Sequence, residues 1–142
     1  MPAADELRDD HAAIRAKLAL LESWLPSFRI APVTISRLTD DVAVCLRAHV
    51  EREHRVLVAW MRGQEALPLE FIQRLEDEHE NQRTELAVLH GLLTEGEPAA
   101  TAEDVMREAR TLLSDVRAHL AKEETLLPTL DQGGVTEAAA AA

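Results

Sequence analysis

Arg47-Ala48-His49-Val50-Glu51-Arg52-Glu53 and Arg117-Ala118-His119-Leu120-Ala121-Lys122-Glu123 are two copies of one pattern, 70 residues apart (119 − 49). Each copy holds a histidine and a glutamate four residues apart. On an α-helix that spacing turns by about 40° and climbs about 6 Å, so both side chains leave one face. A second echo precedes each copy: Asp10-His11 returns as Glu78-His79, 68 residues later (79 − 11). The near-equal offsets predict a duplicated helical hairpin, each hairpin carrying one lone histidine and one His-x-x-x-Glu pair.

Outward from these segments, apolar residues recur at three- and four-residue steps, the signature of an amphipathic helix. Four such patterns follow one another. The first runs from about Ala3 to Leu25 and stops at Pro26. The second runs from about Thr34 to Arg62, before Gly63, and the third from about Leu67 to Thr94, before Gly96 and Pro98. The fourth has Thr101 as N-cap with Asp104 three positions on, and runs to about Leu127, before Pro128. No stretch alternates as a strand would. Long helices with short connections predict an all-α, antiparallel up-down-up-down four-helix bundle over residues 1–130. The end of the chain, residues 131–142, is low in complexity and reads as a disordered tail.

Each apolar stripe is interrupted by the repeated polar residues. The second reads Ile35, Leu38, Val42, Cys45, His49, Glu53, Val56, Trp60, and the fourth Val105, Ala109, Leu112, Val116, His119, Glu123, Leu127. The first carries His11 among Leu7, Ile14, Leu18, Leu21 and Leu25; the third carries His79 and Gln82 among Ile72, Leu75, Leu86, Leu89 and Leu93. At 1.5 Å per residue, His11 lies about 21 Å from the end of its helix and His49 about 22 Å from the start of the next. The other two connections give similar matches, so all four histidines and both glutamates converge on one layer of the core.

Buried carboxylates without partners cost several kcal/mol, and cations remove that cost. Six nitrogen and oxygen donors suit two first-row metals, with His11, His49, Glu53 on one and His79, His119, Glu123 on the other. A two-histidine, one-carboxylate set with open positions favours non-haem iron, while manganese or zinc fits the same donors. Glu53 and Glu123, with two oxygens each, are placed to bridge. The competing reading is a metal-free polar layer inside a helical interaction domain.

Other residues stand aside. His54 is turned about 140° from His49 and reads as outward-facing; His90, about 16 Å along from His79, reads as a core or rim residue. Asp10 and Glu78, each beside a candidate ligand histidine, read as supports for the buried layer or, more readily, as surface carboxylates. Cys45 reads as packing, and Gln82 as a core residue within reach of a bound species.

Composition removes several classes. One cysteine in 142 residues excludes an internal disulfide, a zinc finger and an iron–sulfur site. There are 15 basic and 26 acidic residues, a net charge of −11, which argues against duplex nucleic acid and anionic membrane as partners. No apolar run approaches the roughly 18–20 residues of a membrane span. With no signal-peptide pattern, a cytoplasmic location is expected. No tyrosine is present to act as ligand or radical, leaving Trp24, Trp60 and Cys45 exposed to any oxidant.

Asp10-His11-Ala12-Ala13-Ile14, the His49/Glu53 pair, Glu78-His79-Glu80 and His119-Leu120-Ala121-Lys122-Glu123-Glu124 with Leu127-Pro128 resemble the hemerythrin-like family, the HHE cation-binding domains. The resemblance spans about Leu7 to Leu130. It implies a four-helix bundle around an oxo- or hydroxo-bridged di-iron centre, in a family whose members bind or sense O2 or NO, handle peroxide, store or sense iron, or repair iron–sulfur clusters. For this chain the expectation is a carboxylate-bridged di-iron protein that binds, senses or reduces O2, NO or peroxide. The five-histidine oxygen carriers have a further histidine one turn after that of the third helix, where this chain has Arg83, so a reversible O2 carrier is not expected. Turnover needs an external electron donor, since no flavin or nicotinamide fingerprint is present. The alternative is an iron- or redox-responsive binding module without turnover.

Overall fold

The computed structural model describes residues 2–58, 69–94 and 101–128. Four long helices dominate them: α1 (Pro2–Trp24), α2 (Pro32–Glu53), α3 (Leu69–Thr94) and α4 (Ala102–Glu124). The expected ends at Arg62 and Leu67, Trp60, the side chain of Ile72 and the tail 131–142 lie outside what is described.

Direction can be read from contacts between neighbours. Asp10 meets His49 and Lys17 meets Asp41, so numbers rise on α1 as they fall on α2. Arg15 meets Glu124 and Arg117 meets Glu22, which makes α1 and α4 antiparallel. His79 and His90 face Glu53 and Asp40, and Glu78 faces His119. Each helix therefore runs against both neighbours, the closed up-down-up-down bundle expected.

The helix ends follow local chemistry. α1 stops at Trp24, where Leu25–Ser27 forms one 3-10 turn holding Pro26. α2 begins at Pro32 rather than Thr34, because proline lacks the N–H that a first turn leaves unpaired and its φ is already helical. α2 ends as an α-helix at Glu53 and continues as a π-helical turn over His54–Val58, where one regular helix was expected. α4 opens on a complete capping box: Thr101 N–H donates to Asp104 Oδ2 at 3.0 Å, and Asp104 N–H donates to Thr101 Oγ1 at 3.2 Å. Thr101→Ala is expected to cost about 1 kcal/mol. Its melting curve, followed by circular dichroism, should shift down by a few degrees; an unmoved curve would show that the box contributes nothing.

The core is aliphatic on one side of the polar layer. Ile14, Leu18, Leu21, Ile35, Val42, Leu89, Leu112, Val116 and Leu120 pack into one cluster toward the α1–α2 connection. Beyond the layer lie Leu7, Leu75 and Leu127, also buried. On α2 the buried position is Leu46, with Cys45 half-buried against the core, a correction to the expected stripe. Buried Thr39 is satisfied by donating to Ile35 O at 2.9 Å.

Candidate metal centre

The six repeated side chains meet in one layer. His11 comes from α1, His49 and Glu53 from α2, His79 from α3, and His119 and Glu123 from α4; each is at most 4% exposed. Aliphatic side chains pack above and below them, so their polarity must be answered by one another and by the few polar side chains at the helix seams.

The geometry is nearly two-fold. The His11 and His49 rings lie 4.9 Å apart at 71°, and His79 and His119 lie 4.9 Å apart at 69°. Glu123 Oε2 is 2.9 Å from His11 Nε2 and 3.0 Å from His49 Nε2. Its Oε1 touches His119 Nε2 and lies 3.7 Å from His79 Nε2. Glu53 divides in the same way, Oε2 being 3.0 Å from His49 Nε2 and Oε1 3.4 Å from His79 Nε2. Each carboxylate thus turns one oxygen to each histidine pair.

As a hydrogen-bonded layer this arrangement is poor. Glu53 Oε1 and Oε2 and Glu123 Oε1 are buried without an aligned donor, although imidazole nitrogens stand close by. His79 Nε2 and His119 Nε2 face each other at 3.1 Å, where only one of them can donate. As a ligand set it is good. Two groups, Glu53/His79/His119/Glu123 and His11/His49/Glu123, each bring donor atoms within 4.8 Å of one another. Glu123 belongs to both.

A family model described as the hemerythrin HHE cation binding domain matches residues 2–130. This chain belongs to the hemerythrin HHE family. No curated protein and no solved structure matched it. It is a hemerythrin-like metal-binding bundle whose two His/Glu clusters suit a di-metal site.

The electrostatics of this HHE bundle follow from burial and proximity. Burial alone would lower His49 and His79; hydrogen bonds and the fields of Glu123 and Glu53 reverse that, raising them to about 10 and about 9. His119 is raised by Glu123, Glu78 and Glu53 against the same burial cost. Burial would raise Glu123, but the four surrounding histidines hold it well below the usual carboxylate range. Protons and metal ions therefore compete for one set of atoms.

Around the inner groups stand three carboxylates, two of which read from the sequence more readily as surface groups and one of which sequence reasoning missed. Asp10 Oδ2 lies 3.2 Å from His49 Nδ1, Glu78 Oε2 2.5 Å from His119 Nδ1, and Glu124 Oε1 3.1 Å from His11 Nδ1. Arg52, Lys122 and Arg15 anchor them in that order. Such supports fix ring orientation and raise ligand basicity. Asp10 and Glu78 are thus not surface carboxylates, and Glu124 was overlooked. The signal was present: Arg52 and Lys122 occupy the same place in the two repeats, and Asp10 and Glu78 likewise.

The other expectations divide. Gln82 is buried and lines a groove with His79, as expected of a residue near the centre. His54 is exposed, as expected. His90 is exposed at the rim, 3.4 Å from Asp40. Arg83 is exposed and pairs with Glu80, so no fifth histidine stands one turn beyond His79.

Proposed function

We propose that this protein is a non-haem di-iron protein that binds, senses or reduces a small ligand such as O2, NO or peroxide. His11, His49, Glu53, His79, His119 and Glu123 would hold the ions, each glutamate offering one oxygen to each histidine pair. The observation that carries this reading is the pair of buried carboxylates, each offering one oxygen to each histidine pair while three of their four oxygens lack an aligned donor. An all-nitrogen-and-oxygen set leaving coordination positions open favours iron over metals that need thiolates. When bound, the iron pair would supply reversible one-electron chemistry. The chain's own residues would hold the ions and orient the imidazoles through Asp10, Glu78 and Glu124. Gln82, beside His79, is placed to donate a hydrogen bond to an incoming ligand. Reduction of such a ligand would draw on an external electron donor.

Anaerobic purification and elemental analysis are expected to return about two iron ions per chain. Protein without iron, or iron that survives His49→Ala combined with His119→Ala, overturns the assignment. Addition of NO or peroxide to the ferrous form then separates the outcomes. A new visible band with peroxide consumption supports turnover. Metal-dependent stability without either supports the responsive binding module instead.

A further inference from the structure

The duplication is complete in the inner layer and broken once outside it. Asp10 on His49 has its counterpart in Glu78 on His119, and Arg52 in Lys122. Glu124 on His11, held by Arg15, has none. The repeat offsets carry Arg15 to Arg83 (83 − 15 = 68) and Glu124 to His54 (124 − 54 = 70). Position 54 thus holds an imidazole where the other half holds a carboxylate. His54 is exposed, and Arg83 has turned to Glu80. Among the described residues no carboxylate stands on His79 Nδ1; Glu53 and Glu123 reach that ring through Nε2. A surface groove lined by Glu51, His54, Glu76, His79 and Arg83 opens beside it.

We propose that the two halves of the centre hold their ions unequally: His11–His49 is the retained site, and His79–His119 is the exchangeable one, because residue 54 lacks the carboxylate that Glu124 supplies opposite. This rests on the six inner side chains being the ligands. Glu53 and Glu123 each reach both histidine pairs, but Glu53 groups with His79, His119 and Glu123 and so adds a fourth inner donor on that side. The outer support acts against that extra donor, and its loss typically lowers metal affinity about 10–100-fold.

The test is a cobalt(II) titration of the chelator-stripped full-length chain, followed by calorimetry and by visible absorption. Repulsion between two neighbouring ions also separates the two binding steps, so the direction of variant effects is what counts. Wild type is expected to bind in two steps. Glu124→Gln should weaken the tighter step about 10–100-fold and leave the weaker step in place. His54→Glu, which completes the repeat, should tighten the weaker step by a similar factor. Circular dichroism confirms that each variant is folded, and a gain of affinity in His54→Glu is not something a merely structural role could give. Two steps that either variant leaves unmoved overturn this inference alone. A wild type that binds no cobalt overturns the metal-centre reading and this inference with it.

Discussion

Glu123→Gln is expected to abolish metal retention and also to destabilise the stripped bundle, whereas Glu53→Gln should abolish retention with a smaller loss of stability. Both carboxylates are completely buried, and both serve both histidine pairs. They differ in what they do for the protein without metal. Glu123 is hydrogen-bonded to His11 and His49 through Oε2, and together with Glu53 it raises His49 and His79. Removing one member of a buried ion pair leaves the other uncompensated, which costs about 3–5 kcal/mol. Glu53 has no aligned donor on either oxygen. Neutralising it forfeits misaligned contacts with His49 and His79 and part of the field that raises them, but no aligned hydrogen bond, so the stripped variant should lose less than Glu123→Gln, on the order of 1 kcal/mol. Urea unfolding of stripped proteins, alongside elemental analysis of the same preparations, measures both halves of this expectation. Equal destabilisation by the two substitutions would refute the distinction drawn between them.

That distinction marks where the sequence stopped being informative. His49, Glu53, His119 and Glu123 were legible because a repeat fixes them twice and because polar residues on an apolar stripe have few explanations. The ring of antiparallel contacts was legible for the same reason: equal distances from each connection put the histidines at one level. Glu124 was not legible, and Asp10 and Glu78 only weakly so, because a residue adjacent to a core position is turned about 100° from it and looks solvent-facing on an isolated helix. In a bundle that direction points along the seam with the next helix, where a neighbour's imidazole Nδ1 waits. Cys45 and Leu46 were confused since steps of three and four from Val42 both fit an apolar stripe, and only packing chooses between them. His90 went to the rim because Leu89 took the buried place beside it. The π-helical turn after Glu53 has no signal in composition, for it depends on how the chain leaves the layer.

Metal loading is expected to raise the melting temperature, and the gain should grow as pH rises from 7 to 9. At ligand concentrations of 1,000 times the dissociation constant, binding adds about 4 kcal/mol, on the order of 10 °C for a bundle of this size. The pH dependence comes from the stripped state. His49 and His79 have folded values of about 10 and about 9, above their ordinary 6.5, and His119 is raised as well. Groups raised on folding give stability that is complete below about 6.5 and is lost as pH climbs through the folded values. Glu123, lowered on folding, adds stability above its ordinary value of 4.5 that disappears only as pH falls through the depressed one. The stripped bundle should therefore be most stable between about pH 4.5 and 6.5, and weaken steadily toward pH 9 and 10. The loaded bundle runs the other way, because its imidazoles are neutral ligands and fewer protons compete for them as pH rises. At pH 7 the incoming ions must displace protons from His49, His79 and His119, so the heat of binding should vary with the ionisation enthalpy of the buffer. A stripped protein whose melting temperature is flat from pH 7 to 9, or binding that releases no protons, would mean that His49, His79 and His119 are not charged around Glu123.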